Sequence, residues 1–376
     1  MNGYAEPWGS AEHTLRTAAL KKVIRRKRNE MNIAPPNPAT VQELVFPDEY
    51  RSYGLPNGEQ ELFLLADTGP IQNRIVIFGR ERSLRILSES DKWYVDGTFK
   101  STPPLFHQVY VILPERFGGV IALLYALLPN KLQITYATMI DLIQNINPQL
   151  AFNPTYISCD YELSAINAFK NAFPGVTMHG CFFHLTKNLK KHLSILGLLH
   201  RYNTDAEFAV MARMVSSLAF VPINDLDEAV DALGEALPVE LQPLLQWLED
   251  NYIGRPNRRG NGRRLAMFSP NMWSVFDRVQ NNQDRTNNHA EAAHRRLQIE
   301  LGMDHPTIWK FVNALKSIQK GRDGEYEQLL AGRQPPKKLK KYRDADTRIT
   351  RLVLDFENRN IIEYLRGISY NYEMNP

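Results

Sequence analysis

Apolar positions in the first half of the chain predict a β-sheet. Between residues 92 and 181, five short stretches are rich in aromatic and β-branched side chains and are separated by glycine, proline and polar residues, a pattern typical of strands. The stretches are 92–99, 107–113, 120–128, 155–159 and 176–181. The first three follow one another through short links, which predicts an antiparallel meander.

Helical periodicity separates the later strands. Within a predicted helix at 135–146, apolar residues recur at i, i+3, i+4 and i+7; these are Met139, Leu142, Ile143 and Ile146. Two further helices are predicted, one on each side of the fifth strand, and the second has a basic face. Strands that are reached through helices lie parallel to their neighbours with right-handed crossovers. The order β-β-β-α-β-α-β-α therefore predicts an α/β fold with a mixed five-stranded sheet.

Residues 195–282 have a different character, because helical patterns dominate, acids accumulate and no strand is predicted. After this α-helical insertion, helices are predicted from about 287 to 301 and from 306 to 320. The predicted organisation is a basic N-terminal arm and linker at 1–50, the first part of the core at 51–194, the insertion at 195–282, the C-terminal helices of the core at 283–325, and a basic linker and C-terminal tail at 326–376.

Composition narrows the class of protein. Of 376 residues, 43% are hydrophobic and 23% are charged, which is ordinary globular usage and argues against a disordered or fibrous chain. The two cysteines, Cys159 and Cys181, exclude a disulfide scaffold and a four-cysteine zinc module. No long apolar run or signal-peptide core is present, so we expect no membrane association and a reducing compartment.

The net charge of +4 conceals three concentrated basic segments, at 1–30, 254–264 and 333–343, which leave the rest of the chain net acidic. Basic segments on an acidic body suit a polyanion, since Lys and Arg release counterions from phosphates. Each could equally be a solvated loop or tail, and the first could be a nuclear import signal. The candidate DNA-binding residues are Arg25, Arg26, Lys187, Lys190, Lys191, Arg258, Arg259, Arg263 and Arg264.

Asp96 and Asp160 stand at unusual places in the predicted sheet. Asp96 falls inside an apolar strand, where a carboxylate is costly unless it is paired or binds a metal, although Asp96-Gly97 could also form a hairpin turn. Asp160 follows the fourth strand, where it could instead cap the next helix. If the fourth strand lies beside the first, the two carboxylates can converge, and a divalent cation would relieve their repulsion.

Glu291 lies on the predicted helix at 287–301, which Asn287 or Asn288 could cap. A surface ion pair with Arg295 is one interpretation of this glutamate. The apolar face of this helix consists of Ala290, Ala293, Leu297 and Leu301. Because the alanine side chains near its N-terminus are small, the helix could approach a sheet closely there. Three oxygen ligands suit Mg²⁺ or Mn²⁺, and two such ions can act in phosphoryl transfer.

These motifs resemble the Mutator-like (MULE) transposase domain of the ribonuclease-H-like DDE superfamily. The resemblance covers about residues 60–320 and rests on four segments, Trp93-Tyr94-Val95-Asp96-Gly97-Thr98-Phe99, Ile157-Ser158-Cys159-Asp160-Tyr161-Glu162, Gly180-Cys181-Phe182-Phe183-His184 and Arg285-Thr286-Asn287-Asn288-His289-Ala290-Glu291. It implies a ribonuclease-H-like core with the helical insertion before the last catalytic helix.

The resemblance also implies a catalytic triad of Asp96, Asp160 and Glu291, which would hold two Mg²⁺ or Mn²⁺ ions for DNA cleavage and strand transfer. It identifies Cys181 and His184 as the family's C-x-x-H pair. We interpret this pair, with Asn288, as packing and supporting residues, while zinc ligation with His179 as a third ligand is the alternative.

The expected partners are DNA, at element ends and at the target, and a second copy of the chain, with no membrane; the expected location is the nucleus. Many such transposases carry a separate zinc module for recognising their termini, which two cysteines do not allow here. The alternatives are a host-adopted, catalytically silent DNA-binding or regulatory protein, and a cellular nuclease acting on RNA or RNA–DNA hybrids.

Overall fold

Ten strands form around the apolar stretches of the first half of the chain. The protein is described by a computed structural model that covers residues 34–257, 259 and 262–374. The strands are β1 (Ser52–Gly54), β2 (Gln60–Leu62), β3 (Leu64–Asp67), β4 (Val76–Phe78), β5 (Lys92–Thr98), β6 (Gln108–Arg116), β7 (Gly119–Val120), β8 (Leu124–Leu128), β9 (Tyr156–Cys159) and β10 (Thr177–Gly180).

Eight of these strands form one mixed sheet, so the predicted α/β class is right but the predicted sheet of five strands is too small. The order is β10-β9-β5-β6-β8-β4-β3, with β7 paired to β6, while β1 and β2 form a separate pair. β9 lies parallel to β5 and β10 parallel to β9, whereas β5, β6, β8, β4 and β3 are successively antiparallel. β4 extends the sheet because its three residues are buried on β8.

The helices are α1 (Asp48–Arg51), α2 (Glu81–Ser88), α3 (Gln133–Ile146), α4 (Leu163–Ala172), α5 (Phe182–Ile195), α6 (Leu199–Thr204), α7 (Ala206–Ser217), α8 (Leu226–Ala236), α9 (Gln242–Leu248), α10 (Pro270–Trp273), α11 (Phe276–Gln280), α12 (Asn288–Leu301), α13 (Ile308–Leu330), α14 (Lys340–Leu354) and α15 (Ile361–Ser369). None of the helices in the described part of the chain combines the length and apolar content needed to span a membrane.

The two faces of the sheet are covered by different helices. Trp93 and Val95 of β5 point to a core that contains residues of α3, α4, α5 and the insertion. Tyr94 points to the opposite face, where α12 and α13 pack. Because side chains alternate along a strand, Asp96 shares its face with Tyr94. The carboxylate of Asp96 is therefore directed toward the helix that carries Glu291.

The C-terminal segment 326–376, expected as a linker and tail, is largely helical. α13 continues to Leu330, and α14 and α15 follow it. Tyr364, Leu365 and Ile368 of α15 are buried in the same core as the insertion helices. The side chain of Asn360 caps α15 by accepting the N–H groups of Ile362 and Glu363. Burial of these apolar side chains stabilises the segment as part of that core.

The N-terminal linker also contributes to the core. Phe46 and Tyr50 are buried against Trp309 of α13, at ring-centroid distances of 6.1 and 4.7 Å. The basic arm that precedes it lies outside the described residues.

Candidate active site

Asp96 lies inside β5 and not in a hairpin turn. It is opposite Val111 of β6 in a continuous antiparallel register, and only 4% of its surface is exposed. Its Oδ1 accepts the N–H of Gly97 at 2.9 Å. A Cβ atom at Gly97 would lie 2.4 Å from Oε1 of Gln108 on the neighbouring strand, so a larger residue there would require the Gln108 side chain to move. The turn interpretation is therefore wrong, and the carboxylate is buried in the sheet.

Asp160 follows β9, which lies beside β5, the condition under which the two carboxylates can converge. Its Oδ1 accepts the N–H of Glu162 at 3.2 Å, so it also supports the turn that leads into α4. The carboxylate of Glu162 is already occupied, since it accepts the hydroxyl of Tyr136 at 2.7 Å and pairs with Lys131. Of the two acids at this end of β9, Asp160 is therefore the one with a carboxylate oxygen, Oδ2, available to bind another partner.

Glu291 approaches Asp96 from α12. Ala290, Ala293, Leu297 and Leu301 form the buried face of this helix, and the small side chains at its start let it pack closely on the sheet. Ligand atoms of Asp96, His184 and Glu291 all lie within 4.8 Å of one another. In the described part of the chain, these three residues form a group whose ligand atoms are close enough to share one metal ion. Asp160 lies outside this group.

Burial and neighbouring carboxylates disfavour the charged forms of Asp96 and Asp160. The pKa of Asp96 is raised well above its ordinary value, first by burial and then by the charges of Asp160 and Glu291. Burial, followed by the charge of Glu162, raises the pKa of Asp160. Lys187 opposes the shift at Asp96 only weakly. A bound cation would remove this penalty, because it stabilises the ionised form of each acid.

Two histidines flank the acids, and sequence reasoning left the second out of the site. His184 Nε2 lies 3.6 Å from Glu291 Oε1, and His294 Nδ1 lies 3.8 Å from Asp96 Oδ2. Burial lowers the pKa of each imidazole to about 4, so both are neutral near pH 7. The second nitrogen of each ring is buried without a hydrogen-bond partner. His294 could have been found from its position three residues after Glu291, on the same helical face.

Asn287 joins the elements of the site. Its backbone N–H donates to Cys181 Sγ at 3.1 Å, and its Nδ2 donates to the carbonyl oxygen of Val95 at 3.0 Å. Asn287 is fully buried, whereas Asn288, which the sequence analysis favoured, is exposed. The supporting role therefore belongs to Asn287, since only its side chain reaches β5.

Cys181 lies at the junction of β10 and α5. Burial raises the pKa of its thiol to about 11, and its sulfur accepts the Asn287 N–H. In the described part of the chain, Cys181 does not form a metal-ligating group with His179 and His184. The ring of His179 instead packs on Tyr156, with centroids 5.1 Å apart. This geometry agrees with a packing role for Cys181.

The candidate DNA-binding residues fall into three groups. Arg263 is only 13% exposed and pairs with Asp227 and Glu249, and Lys190 donates to the carbonyl oxygen of Met374 at 3.0 Å. These two cations are already engaged within the protein, and their DNA-binding role stays a prediction. The exposed residues are Lys187, Lys191, Arg259 and Arg264, and those outside the described residues are Arg25, Arg26 and Arg258.

Comparison with known families supports the resemblance. Residues 92–188 match the family model of the MULE transposase domain. The matched segment contains Asp96, Asp160, Cys181 and His184, and it ends before the insertion and Glu291. A search of curated proteins found no match. Residues 92–188 of this chain are therefore similar to the MULE transposase domain, and the match covers about a quarter of the chain.

Proposed function

We propose that this protein is a DDE-type DNA transposase that cleaves DNA and transfers strands with the help of divalent metal ions. The MULE domain indicates a function related to transposition. The observation that carries the finer proposal is the convergence of Asp96 and Glu291, which come from a central strand and from a helix beyond the insertion. Burying Asp96 with a second carboxylate nearby is costly for stability, which favours a functional reason for its position.

The topology supports a ribonuclease-H-like core. A three-stranded antiparallel meander, β5-β6-β8, is followed by two helix-linked strands, β9 and β10, that extend the sheet on the other side of β5. The carboxyl ends of three parallel strands then lie together, and they place Asp96, Asp160 and the start of α5 at one edge. This edge is where ligands usually bind in open α/β sheets.

The side chains fit divalent ions. Asp96, Asp160 and Glu291 would hold two Mg²⁺ or Mn²⁺ ions, since carboxylate oxygens are the ligands those ions prefer. The ions would activate water and stabilise charge on the reacting phosphate oxygens. His184 Nε2 and His294 Nδ1, which lie 3.6 Å from Glu291 and 3.8 Å from Asp96, would offer nitrogen ligands beside the acids.

The chain's own residues would orient this chemistry. Gly97 fixes one oxygen of Asp96, and Asn287 fixes the start of α12 against β5. Lys187, on the exposed side of α5, lies close enough to influence the pKa of Asp96 and would contact a phosphate entering the site. Arg259 and Arg264 on the insertion would contact DNA farther away. We also propose a nuclear location and a homodimer, which would hold two DNA ends together.

A second candidate is a host-adopted, catalytically silent DNA-binding or regulatory protein. The position of Asp160 outside the group formed by Asp96, His184 and Glu291 favours it. Such a protein would bind DNA equally well with and without metal. A nuclease that acts on RNA or RNA–DNA hybrids would use the same acids. Unlike a transposase, it would make no strand-transfer products.

The test is metal-dependent cutting of a supercoiled plasmid by the full chain. We expect nicked and linear products with Mn²⁺ or Mg²⁺, and we expect Asp96→Asn to abolish them while oligonucleotide binding is retained. Asp231→Asn, at an exposed acid of the insertion, is the matched control and should cut like the wild type. Equal cutting by Asp96→Asn would exclude this site. Binding without cutting by the wild type would favour the silent protein.

A further inference from the structure

A strongly basic segment is exposed between α13 and the first turn of α14. We define residues 333–343 as the basic strip; it contains six Lys and Arg residues and no acid. Those residues are Arg333, Lys337, Lys338, Lys340, Lys341 and Arg343, and all are exposed. Within the described residues, Lys338 is the member of the strip that forms ion pairs. The other five cations of the strip form no ion pair in the described part of the chain.

Apolar side chains alternate with these charges at the surface. Leu339 is 66% exposed and Tyr342 is 54% exposed, and the ammonium of Lys341 lies 4.8 Å from the centroid of the Tyr342 ring. Exposed aromatic rings among basic residues are typical of surfaces that bind unpaired nucleic-acid strands, because bases stack on the rings while phosphates contact the cations.

The basic residues of the strip do not stabilise the helix that they begin, α14. α14 has no acid in its first turn and no side-chain cap, and it begins with Lys340 and Lys341. Positive charges at a helix N-terminus oppose the helix dipole, so these lysines weaken the start of the helix. A role in which a polyanion neutralises them offsets that cost.

The strip is fixed to the same face of the sheet as the candidate site. Lys338 Nζ lies 3.5 Å from Asp284 Oδ1, and Asp284 Oδ2 accepts the hydroxyl of Tyr94 at 2.8 Å. Tyr94 and Asp96 are two residues apart on one face of β5, a separation of roughly 7 Å along the strand. The segment from Asp284 also leads directly into α12, which carries Glu291. Lys338 and Asp284 therefore connect the strip to the strand that carries Asp96.

We propose that the basic strip binds a single nucleic-acid strand next to the candidate active site, with phosphates on Lys337, Lys340, Lys341 and Arg343 and a base stacked on Tyr342. This deepens the proposed function by naming a surface for its substrate. Because binding can be measured in EDTA, this proposal can be tested in the absence of metal and of cleavage.

The first experiment is fluorescence anisotropy of the full chain with mixed-sequence single-stranded and duplex oligonucleotides at several salt concentrations. A variant with Gln at Lys337, Lys340, Lys341 and Arg343 should bind the single strand at least about tenfold more weakly near 0.1 M salt. Its log–log salt slope should be smaller by about 3, since each phosphate contact on a single strand contributes about 0.7. The matched control carries Gln at Arg51, Arg85, Lys170 and Lys320, four exposed basic residues elsewhere, and should bind like the wild type.

The second experiment isolates the aromatic contact. Tyr342→Ala should weaken single-strand binding about tenfold and leave duplex binding unchanged, while Tyr342→Phe should retain wild-type affinity. The proposal is overturned if the four-Gln variant and the wild type have the same affinity and salt slope, or if Tyr342→Ala and Tyr342→Phe bind the single strand equally. Loss of nuclear accumulation by the four-Gln variant, with unchanged oligonucleotide binding, would show that the strip is an import signal instead. A failure of plasmid cutting would reject the proposed function and leave these binding results intact.

Discussion

Asn287 donates a hydrogen bond from its side chain to the backbone carbonyl of Val95, the residue that precedes Asp96. The N···O distance is 3.0 Å, and both groups are buried. A second bond, from the backbone N–H of Asn287 to Cys181 Sγ, joins the same residue to the start of α5. Asn287 therefore connects β5, α5 and α12, the three elements that carry Asp96, His184 and Glu291.

We expect Asn287→Ala to destabilise the protein by about 1–3 kcal/mol, because the carbonyl of Val95 would remain buried without its donor. Urea unfolding measures this change. Asn288→Ala is the control, since Asn288 is exposed, and should change the free energy of unfolding by less than about 0.5 kcal/mol. Equal effects of the two substitutions would show that Asn287 does not hold these elements together.

Removing the charge of Asp96 should stabilise the metal-free protein. Burial and two neighbouring carboxylates raise the pKa of Asp96, so its ionised form opposes folding near pH 7. Asp96→Asn retains an oxygen that can accept the Gly97 N–H and removes the charge. We expect its melting temperature in EDTA to rise by a few degrees, as measured by differential scanning fluorimetry. A lower melting temperature would mean that the buried carboxylate stabilises the fold without metal.

His179 should make stability depend on pH. Burial, with the positive charges of Arg278 and Lys92, lowers its pKa from 6.5 to about 3. The folded state therefore favours neutral His179, so its contribution is complete above pH 6.5 and is lost as the pH falls toward 3. At pH 5 the loss is about 2 kcal/mol.

Urea unfolding at pH 7.5 and pH 5 tests this contribution. His179→Gln should lose less stability than the wild type over that interval, by about 2 kcal/mol, because the glutamine does not titrate. His200→Gln is the matched control, since His200 is exposed. Other groups titrate in the same interval, but their effects are common to all three proteins. An identical pH dependence in wild type and His179→Gln would contradict the prediction.

The arginines of the insertion should separate into structural and surface residues. Arg263 pairs with Asp227 and Glu249 and donates to the carbonyl of Gly254 at 2.8 Å. We expect Arg263→Ala to lower the free energy of unfolding by about 1–3 kcal/mol, because it leaves a largely buried carboxylate on Glu249 without its partner. Arg264→Ala should leave stability unchanged, since Arg264 is exposed, and should weaken DNA binding. Thermal unfolding and anisotropy measure the two effects, and the reverse pattern would contradict this assignment.

The sequence predicted the central part of the fold because its signals are local. Strand composition and helical periodicity located β5, β6, β8, β9 and β10, and the crossover rule predicted that the helix-linked strands lie parallel to their neighbours. The apolar face of α12 was predicted residue by residue. The added strands β3 and β4 were not assigned to the sheet, because they are too short to show alternation and are stabilised by pairing with β8 and with each other.

The site was predicted less completely, since its geometry depends on contacts distant in sequence. Asp96 could be named because an acid inside an apolar strand is conspicuous. Nothing local distinguishes Asn287 from Asn288, and only the packing of α12 on β5 decides between them. Likewise, Arg263 resembles its basic neighbours in sequence, and its two acidic partners, Asp227 and Glu249, identify it as structural. The role of His294 depends on its distance from Asp96.

The most direct test of the candidate metal site is isothermal titration calorimetry of Mn²⁺ into the full chain, wild type, Asp96→Asn and Asp231→Asn. If Asp96, Asp160 and Glu291 hold divalent ions, the wild type and Asp231→Asn will bind Mn²⁺ with the same affinity, and Asp96→Asn will lose that binding. Equal Mn²⁺ binding by wild type and Asp96→Asn, or no binding by the wild type, would contradict a metal-dependent site at Asp96.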